Sequence, residues 1–221
     1  MRTYGVSELF YSLQGEGAFT GTPMAFARLS GCNLWDGHEA HRERGTGSCA
    51  DWCDASFLPK LGKMPAEEIA RRLRTLTPDC HYACVTGGEP TLQWDEELAD
   101  ALVAAGFDQI HMETNGTTVG PLPRVGWLTL SPKRDRGGAW THKRPAASEL
   151  KVVHSRRGHP LSDADLLVLR RSVVAEHYFV QPCDEGYRID TAENERDAVA
   201  LVLRNPSWRL SLQTNKTVGL P

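Results

Sequence analysis

Three cysteines, Cys32, Cys49 and Cys53, form a C-x16-C-x3-C group on a polar stretch that follows a short apolar segment. Three thiolates suit a [4Fe-4S] cluster in which one iron keeps no protein ligand, and such an iron can bind a small molecule and pass it an electron. A zinc site completed by His38 or His41, both inside the intervening stretch, is the rival reading of the same residues. Against zinc, its ligands usually come as C-x2-C with a second pair downstream, and no such pair is present. A second group is Thr86-Gly87-Gly88-Glu89-Pro90. Its two glycines let a ligand approach the backbone, and Glu89 can accept from an amine. A third group, Gln14-Gly15-Glu16-Gly17, places an amide and a carboxylate on flexible backbone. These fit the fused amino-amide edge of a pterin or guanine, although the same residues also read as a glycine-rich hairpin turn. Arg28 stands alone among apolar neighbours in residues 24–30. Facing inward it would need a partner such as a substrate carboxylate; facing outward, a surface ion pair would suffice.

The elements that must position these groups alternate along the chain. Strand-like segments are expected at residues 24–30, 80–85, 109–112, 127–130, 149–153, 177–180 and 208–212. Helices are expected at 65–77, 95–105, 163–171 and 192–203. The first helix carries Ile69, Leu73 and Leu76 on one face with Glu67 and Glu68 in its first turn; Ser162 and Thr191 read as N-caps of the last two. Such alternation predicts an α/β fold with a mainly parallel sheet. About six or seven strands are too few for a closed eight-stranded barrel, so a partial, open β/α barrel is expected. Polar clusters at 31–33, 86–90, 113–117, 131–133, 181–184 and 213–216 follow the strands, at the edge where parallel α/β proteins carry their active sites. Two long polar loops, 36–50 and 134–147, do not fit the repeat; the second is basic and reads as a lid or a solvated face.

Composition narrows the class. A chain of 221 residues, 40% hydrophobic and 24% charged, with a net charge of −3, suits one domain with elaborations. It argues against global disorder and against a duplex nucleic-acid binder. No apolar run approaches the roughly 18 residues of a membrane span, and residues 1–13 lack a signal pattern, so a cytoplasmic protein is expected. Six cysteines in a reducing compartment point to metal or redox use rather than disulfides. Cys80 and Cys84 read as packing thiols.

The cysteine group together with a strand-end GGEP resembles the radical S-adenosylmethionine (SAM) enzymes. In order along the chain stand SLQGEGAFTGTP, FARLSGCNLW, TGGEPTLQ, ETNGT, LSPK, ELKVV, QPCD and SLQTNKTVGLP. Together they resemble the 7-carboxy-7-deazaguanine synthases, radical SAM enzymes of 7-deazapurine (queuosine) biosynthesis, from about residue 5 to residue 221. The resemblance implies a single radical SAM domain over 1–221, with a cluster-loop insertion at 33–49. It implies a carbon-nitrogen lyase that converts 6-carboxy-5,6,7,8-tetrahydropterin to 7-carboxy-7-deazaguanine, with ring contraction, loss of ammonia and catalytic use of SAM. The cluster that cleaves SAM would be held by Cys32, Cys49 and Cys53. SAM would meet Trp52, Cys53 and Asp54, then Gly88, Glu89 and Glu113, then Ser131, Pro132 and Lys133, and finally Gln181, Pro182, Cys183 and Asp184, the backbone of Cys183 rather than its sulfur. The pterin would meet Leu13, Gln14, Gly15, Glu16, Arg28, Thr86 and Pro221. A flavodoxin- or ferredoxin-type reductant and a homodimer are further implications.

Two departures stand out. Related enzymes with an enlarged cluster loop show C-x14-C-x2-C, so the extra residue before Cys53 must bulge. Where the family has a threonine beside Mg²⁺ this chain has Ala55, and Ser56 substitutes if the bulge shifts the register by one. The alternatives are another radical SAM enzyme of the glycyl-radical-activase kind, which has no use for residues 14–17 or the SLQT ending, and a zinc-stabilised binding protein without turnover.

Overall fold

The computed structural model describes residues 2–184 and 188–221. β1 (Tyr4–Leu13) and β2 (Pro23–Leu29) form a hairpin, and the short β3 (Gly62–Met64) pairs antiparallel with the far side of β1. Strands and helices then alternate through α1 (Ala66–Leu76), β4 (Tyr82–Gly87), α2 (Glu96–Ala104), β5 (Gln109–Thr114), β6 (Val125–Leu130) and β7 (Glu149–His154). The chain continues with α3 (Asp163–Ser172), β8 (His177–Pro182), α4 (Arg188–Arg204), β9 (Arg209–Leu210) and the one-turn α5 (Thr214–Thr217). The sheet order is β3-β1-β2-β4-β5-β6-β7-β8-β9, parallel from β2 to β9, with unpaired ends. This is the expected open β/α barrel, extended by two antiparallel strands. Among the described residues no helix is long and apolar enough to cross a membrane.

The two-residue period of the strands sorts their side chains onto two faces. Ala25, Ala27 and Leu29 of β2, Ala83 and Val85 of β4, and Ile110 and Met112 of β5 share one core with residues of α1 and α2. Leu130, Leu150, Val152 and Val180 form a second core with residues of α3 and α4. The alternate positions, Arg28, Thr86, Glu113, Thr129, Glu149, Lys151 and Gln181, therefore face the lumen. Polar side chains inside a barrel must be paired or must face a ligand.

Three expectations are corrected. β1 was not among the expected strands, because its register shifts between Val6 and Glu8 and no single period runs along it. Thr191 is not an N-cap: α4 already begins at Arg188, and the Thr191 hydroxyl donates to Asp184 Oδ1 at 3.1 Å. The last strand holds only Arg209 and Leu210, because the next side chain, Ser211, turns to Gly17 N and Gln181 Oε1. Ser162, by contrast, forms a full capping box with Asp165.

The hairpin connection between β1 and β2 bridges the open side of the barrel. Gly17 N donates to Ser211 Oγ at 2.9 Å, Ala18 N donates to Glu149 Oε2 at 2.9 Å, and Thr214 N donates to Gly15 O at 3.0 Å. Phe19 fills the space below, 4.4 Å from the His111 ring and 4.8 Å from the Trp127 ring. Gly17 has φ +66°, and a Cβ there would stand 2.3 Å from Glu149 Oε1, so a larger residue would be strained and would have to displace that carboxylate. Residues 14–17 are thus both the expected hairpin turn and a wall of the lumen.

Candidate active site

A cleft of about 460 Å³ opens at the carboxyl ends of the parallel strands. Of the residues expected at the site, Cys49, Trp52, Cys53, Asp54, Ser56, Gly88, Glu113, Ser131, Lys133 and Gln181 line it, as do Leu13, Gln14, Gly15, Glu16, Arg28, Thr86 and Pro221. Asp184 lies in an adjoining cavity of about 640 Å³, which shares Trp52, Cys53, Asp54 and Lys216 with the cleft. Cys32, Glu89, Pro132, Pro182 and Cys183 are not among the lining residues. Cys183 is buried, its sulfur 4.0 Å from Trp52 O.

The three cysteines come together from two loops. Cys32 follows β2, and its sulfur accepts from Leu34 N at 3.4 Å. Cys49 sits in a single 3₁₀ turn, Ser48–Asp51. The Cys53 amide then donates to Cys49 O at 2.8 Å, so the extra residue of the C-x3-C spacing is absorbed as one helical turn. Cys32 and Cys53 pack against Trp35, Ala50 and Phe57. Burial pushes all three thiols up, Cys49 to about 12, and the Lys133 ammonium opposes this in each case. All six cysteines are free.

The three thiols lie within electrostatic range of one another beside the cleft, and the donor set is sulfur only, which fits an iron-sulfur cluster. Among the described residues no three His, Cys, Asp or Glu side chains converge as they would on one metal ion. His41 turns instead to Asp36, 2.6 Å away, and His38 packs beside His41 with ring centroids 5.3 Å apart. Neither completes a zinc site.

The basic loop at 134–147 is a brace. Its Arg136 reaches Asp51 at 2.6 Å, Arg42 O at 2.6 Å and Gly45 O at 3.0 Å, while Ser48 N donates to Arg134 O at 2.8 Å. From within the cluster loop, Arg42 donates to Ala50 O and Cys53 O and lies 4.6 Å from the Trp35 ring.

Glu89 corrects the sequence reading most clearly. It is fully buried, and its carboxylate accepts from Thr91 N at 3.1 Å, the Thr91 hydroxyl, the Thr114 hydroxyl at 2.6 Å and Asn115 N at 2.7 Å. It ties the loop after β4 to the loop after β5 and does not line the cleft. Gly87 and Gly88 do the close packing: a Cβ on Gly87, at φ +146°, would stand 2.0 Å from Leu29 O. Glu89→Gln turns an amide N–H₂ toward hydrogen-bond donors. The expected result is a loss of about 3 kcal/mol in unfolding free energy, read by denaturant titration. An unchanged midpoint would show that the carboxylate is not the tie.

The lumen beneath the glycines is a network of charged groups. Glu113 accepts from Thr86 Oγ1 at 3.0 Å and from Gln14 Nε2 at 3.2 Å. Glu16 contacts the Lys151 ammonium with one oxygen and accepts from Gln213 Nε2 at 2.8 Å with the other. Burial lowers the Lys151 pKa to about 7. Glu149 is raised by burial and accepts from Thr129 Oγ1 at 2.8 Å. Arg28 faces the cleft, yet it is also ion-paired: its Nε lies 3.0 Å from Glu8 Oε2. Sequence reasoning missed Glu8 and Lys151, and it placed Asn115, Gln213, Asn215 and Lys216 at the active-site edge without giving them a role; all six line the cleft. For Lys151 a signal was present, since a lysine between Leu150 and Val152 in an apolar strand requires a buried partner.

A cleft at the strand ends, walled by two thiols of a three-cysteine group and by a Gly-Gly turn, defines a class. The radical SAM superfamily model matches residues 48–125. The chain is 39% identical to a 7-carboxy-7-deazaguanine synthase of Bradyrhizobium diazoefficiens, over 99% of both proteins. It is 38% identical to one of Burkholderia multivorans, over 99% of this chain and 100% of that one. The crystal structure of QueE from Escherichia coli superimposes with a TM-score of 0.69 at 26% identity, covering 96% of this chain and 94% of that one. This is a radical SAM protein, and a [4Fe-4S] cluster and SAM are its cofactors. Within that class the chain belongs to the 7-carboxy-7-deazaguanine synthase family.

Proposed function

We propose that the cleft converts 6-carboxy-5,6,7,8-tetrahydropterin to 7-carboxy-7-deazaguanine with ring contraction and loss of ammonia. The observation that carries this reading is a single cleft whose lining holds both Cys49 and Cys53, with Cys32 beside them, and Gln14, Glu16 and Arg28. Cys32, Cys49 and Cys53 would hold the cluster, which with SAM supplies one-electron reductive cleavage and a hydrogen-abstracting radical. Trp52, Asp54, Gly88, Ser131, Lys133 and Gln181 would receive SAM, with Asp184 reached through the adjoining cavity. Glu16, paired with Lys151, presents acceptors to the amino-amide edge of the pterin, and Gln14 and Thr86 flank that edge. Arg28 can turn the guanidinium nitrogens not used by Glu8 toward the substrate carboxylate. Leu13, Gly15 and Pro221 complete the wall. The hairpin and the residues around α5 form the wall at this end.

A flavodoxin- or ferredoxin-type one-electron donor, a homodimer and a cytoplasmic setting complete the reading, supported by kinship with the family. The test is anaerobic turnover, read by mass spectrometry, of protein reconstituted with iron and sulfide and given reductant, SAM, Mg²⁺ and the tetrahydropterin. Product without matching net consumption of SAM is the expected result. Cleavage to 5′-deoxyadenosine with the pterin left intact would overturn the substrate assignment.

Mg²⁺ belongs to the proposal through Ser56. That residue lines the cleft beside Ala55, and its carbonyl accepts from Ser7 Oγ at 2.9 Å, which fixes the backbone there. Ser56→Ala is expected to raise the Mg²⁺ concentration for half-maximal turnover about tenfold. An unchanged Mg²⁺ titration would leave the ion to substrate and water oxygens alone.

A further inference from the structure

Lys216 lines the site but is given no ligand in the function proposed above, and it joins that site's two ends. Its ammonium lies 2.7 Å from Asp54 Oδ2 and 2.9 Å from Asp184 Oδ2. Asp54 follows the cluster cysteine Cys53, and Asp184 follows β8; both belong to stretches given above to SAM. The turn that carries Lys216 is bound at the same time to the pterin end. Thr214 donates to Gly15 O through its amide at 3.0 Å and its hydroxyl at 3.2 Å. Asn215 Nδ2 donates to Pro221 O at 3.2 Å, and Ser12 Oγ donates to the same oxygen at 2.9 Å. Lys216 lines both the cleft and the adjoining cavity, in company with Trp52, Cys53 and Asp54, so the clasp is part of the partition between them. Burial lowers the Lys216 pKa, but the two carboxylates more than offset this and the ammonium stays charged.

We propose that Lys216 is a positioning residue that couples occupation of the SAM side of the cleft to closure of residues 213–221 over the pterin side. The inference rests on the function proposed above. A ligand seated against the loop after Cys53 and the segment after β8 fixes the separation of Asp54 and Asp184. A cation spanning both carboxylates is then held in one place, and α5 with it. Pterin arriving at a segment already ordered meets a smaller entropy cost and binds more tightly, and by linkage it tightens SAM by the same factor.

The test is a binding cycle on the holoenzyme with its cluster oxidised, so that no turnover intervenes. The Kd of 6-carboxytetrahydropterin is measured by calorimetry with and without saturating SAM, in the wild type, Lys216→Met and Lys216→Arg. SAM is expected to tighten pterin binding about tenfold in the wild type, to leave it unchanged in Lys216→Met, and to tighten it again in Lys216→Arg, which keeps a cation able to span two carboxylates. A wild-type ratio of one, or the same ratio in Lys216→Met as in the wild type, overturns the coupling. A wild type that binds SAM but no pterin overturns the assigned function, and the coupling falls with it.

Discussion

Cys49→Ala is expected to abolish product formation and to leave a folded protein with little bound iron. The residue contributes one of three thiols, and the turn that carries it is held by Arg42, Arg136 and the Ser48 amide rather than by sulfur. Loss of one buried sulfur costs the fold about 1 kcal/mol, whereas a cluster that already has one iron without a protein ligand would lose another. Iron and sulfide per chain, circular dichroism and product yield measure the three effects separately. Cys84→Ala is the matched control. Cys84 is fully buried against Met24 and Phe26 and is not itself a cleft-lining residue, so a similar small loss of stability with full iron content and activity is expected. Full iron loading and turnover in Cys49→Ala would remove that residue from the ligand set. Zinc without sulfide in the wild type would end the radical reading altogether.

The contrast between these two cysteines shows what the sequence could carry. Spacing separated the three clustered thiols from Cys80, Cys84 and Cys183, and the chemistry of sulfur ligation did the rest. The parallel strands were legible because each is short, apolar and followed by a polar turn; their carboxyl ends therefore located the cleft before any coordinates did. β1 was not legible, since its bulge swaps the inward and outward sets partway along. Glu89 was misread for a different reason. A glutamate after two glycines looks available to a ligand, and only the fold shows that the loop after β5 delivers the Asn115 amide and the Thr114 hydroxyl to it. The partners of Glu16 were hidden by distance along the chain: Lys151 and Gln213 reach it only because the β1–β2 hairpin folds into the open side of the barrel. Local pattern specifies elements and their polar ends, while the pairing of buried charges is a property of topology.

That buried pair supplies the second large effect. Lys151→Met should destabilise the protein by about 3–5 kcal/mol and raise the KM for the pterin about 100-fold. The Lys151 side chain is 6% exposed and that of Glu16 18%, so removing the ammonium strands a carboxylate with Gln213 as its remaining donor. Such a carboxylate takes up a proton instead, and a protonated Glu16 can no longer accept at both oxygens from the substrate edge. The double variant Glu16→Gln with Lys151→Met separates the two consequences. With no charge left to bury, it should regain most of the lost stability, as neutral replacements of buried ion pairs generally do. Its KM should stay high, because an amide presents one acceptor where the carboxylate presented two. A coupling energy near zero across the cycle would show that the two side chains do not act as a pair in solution. Recovery of both stability and KM in the double variant would reduce the pair to a packing device and move pterin recognition to Gln14, Arg28 and Glu113.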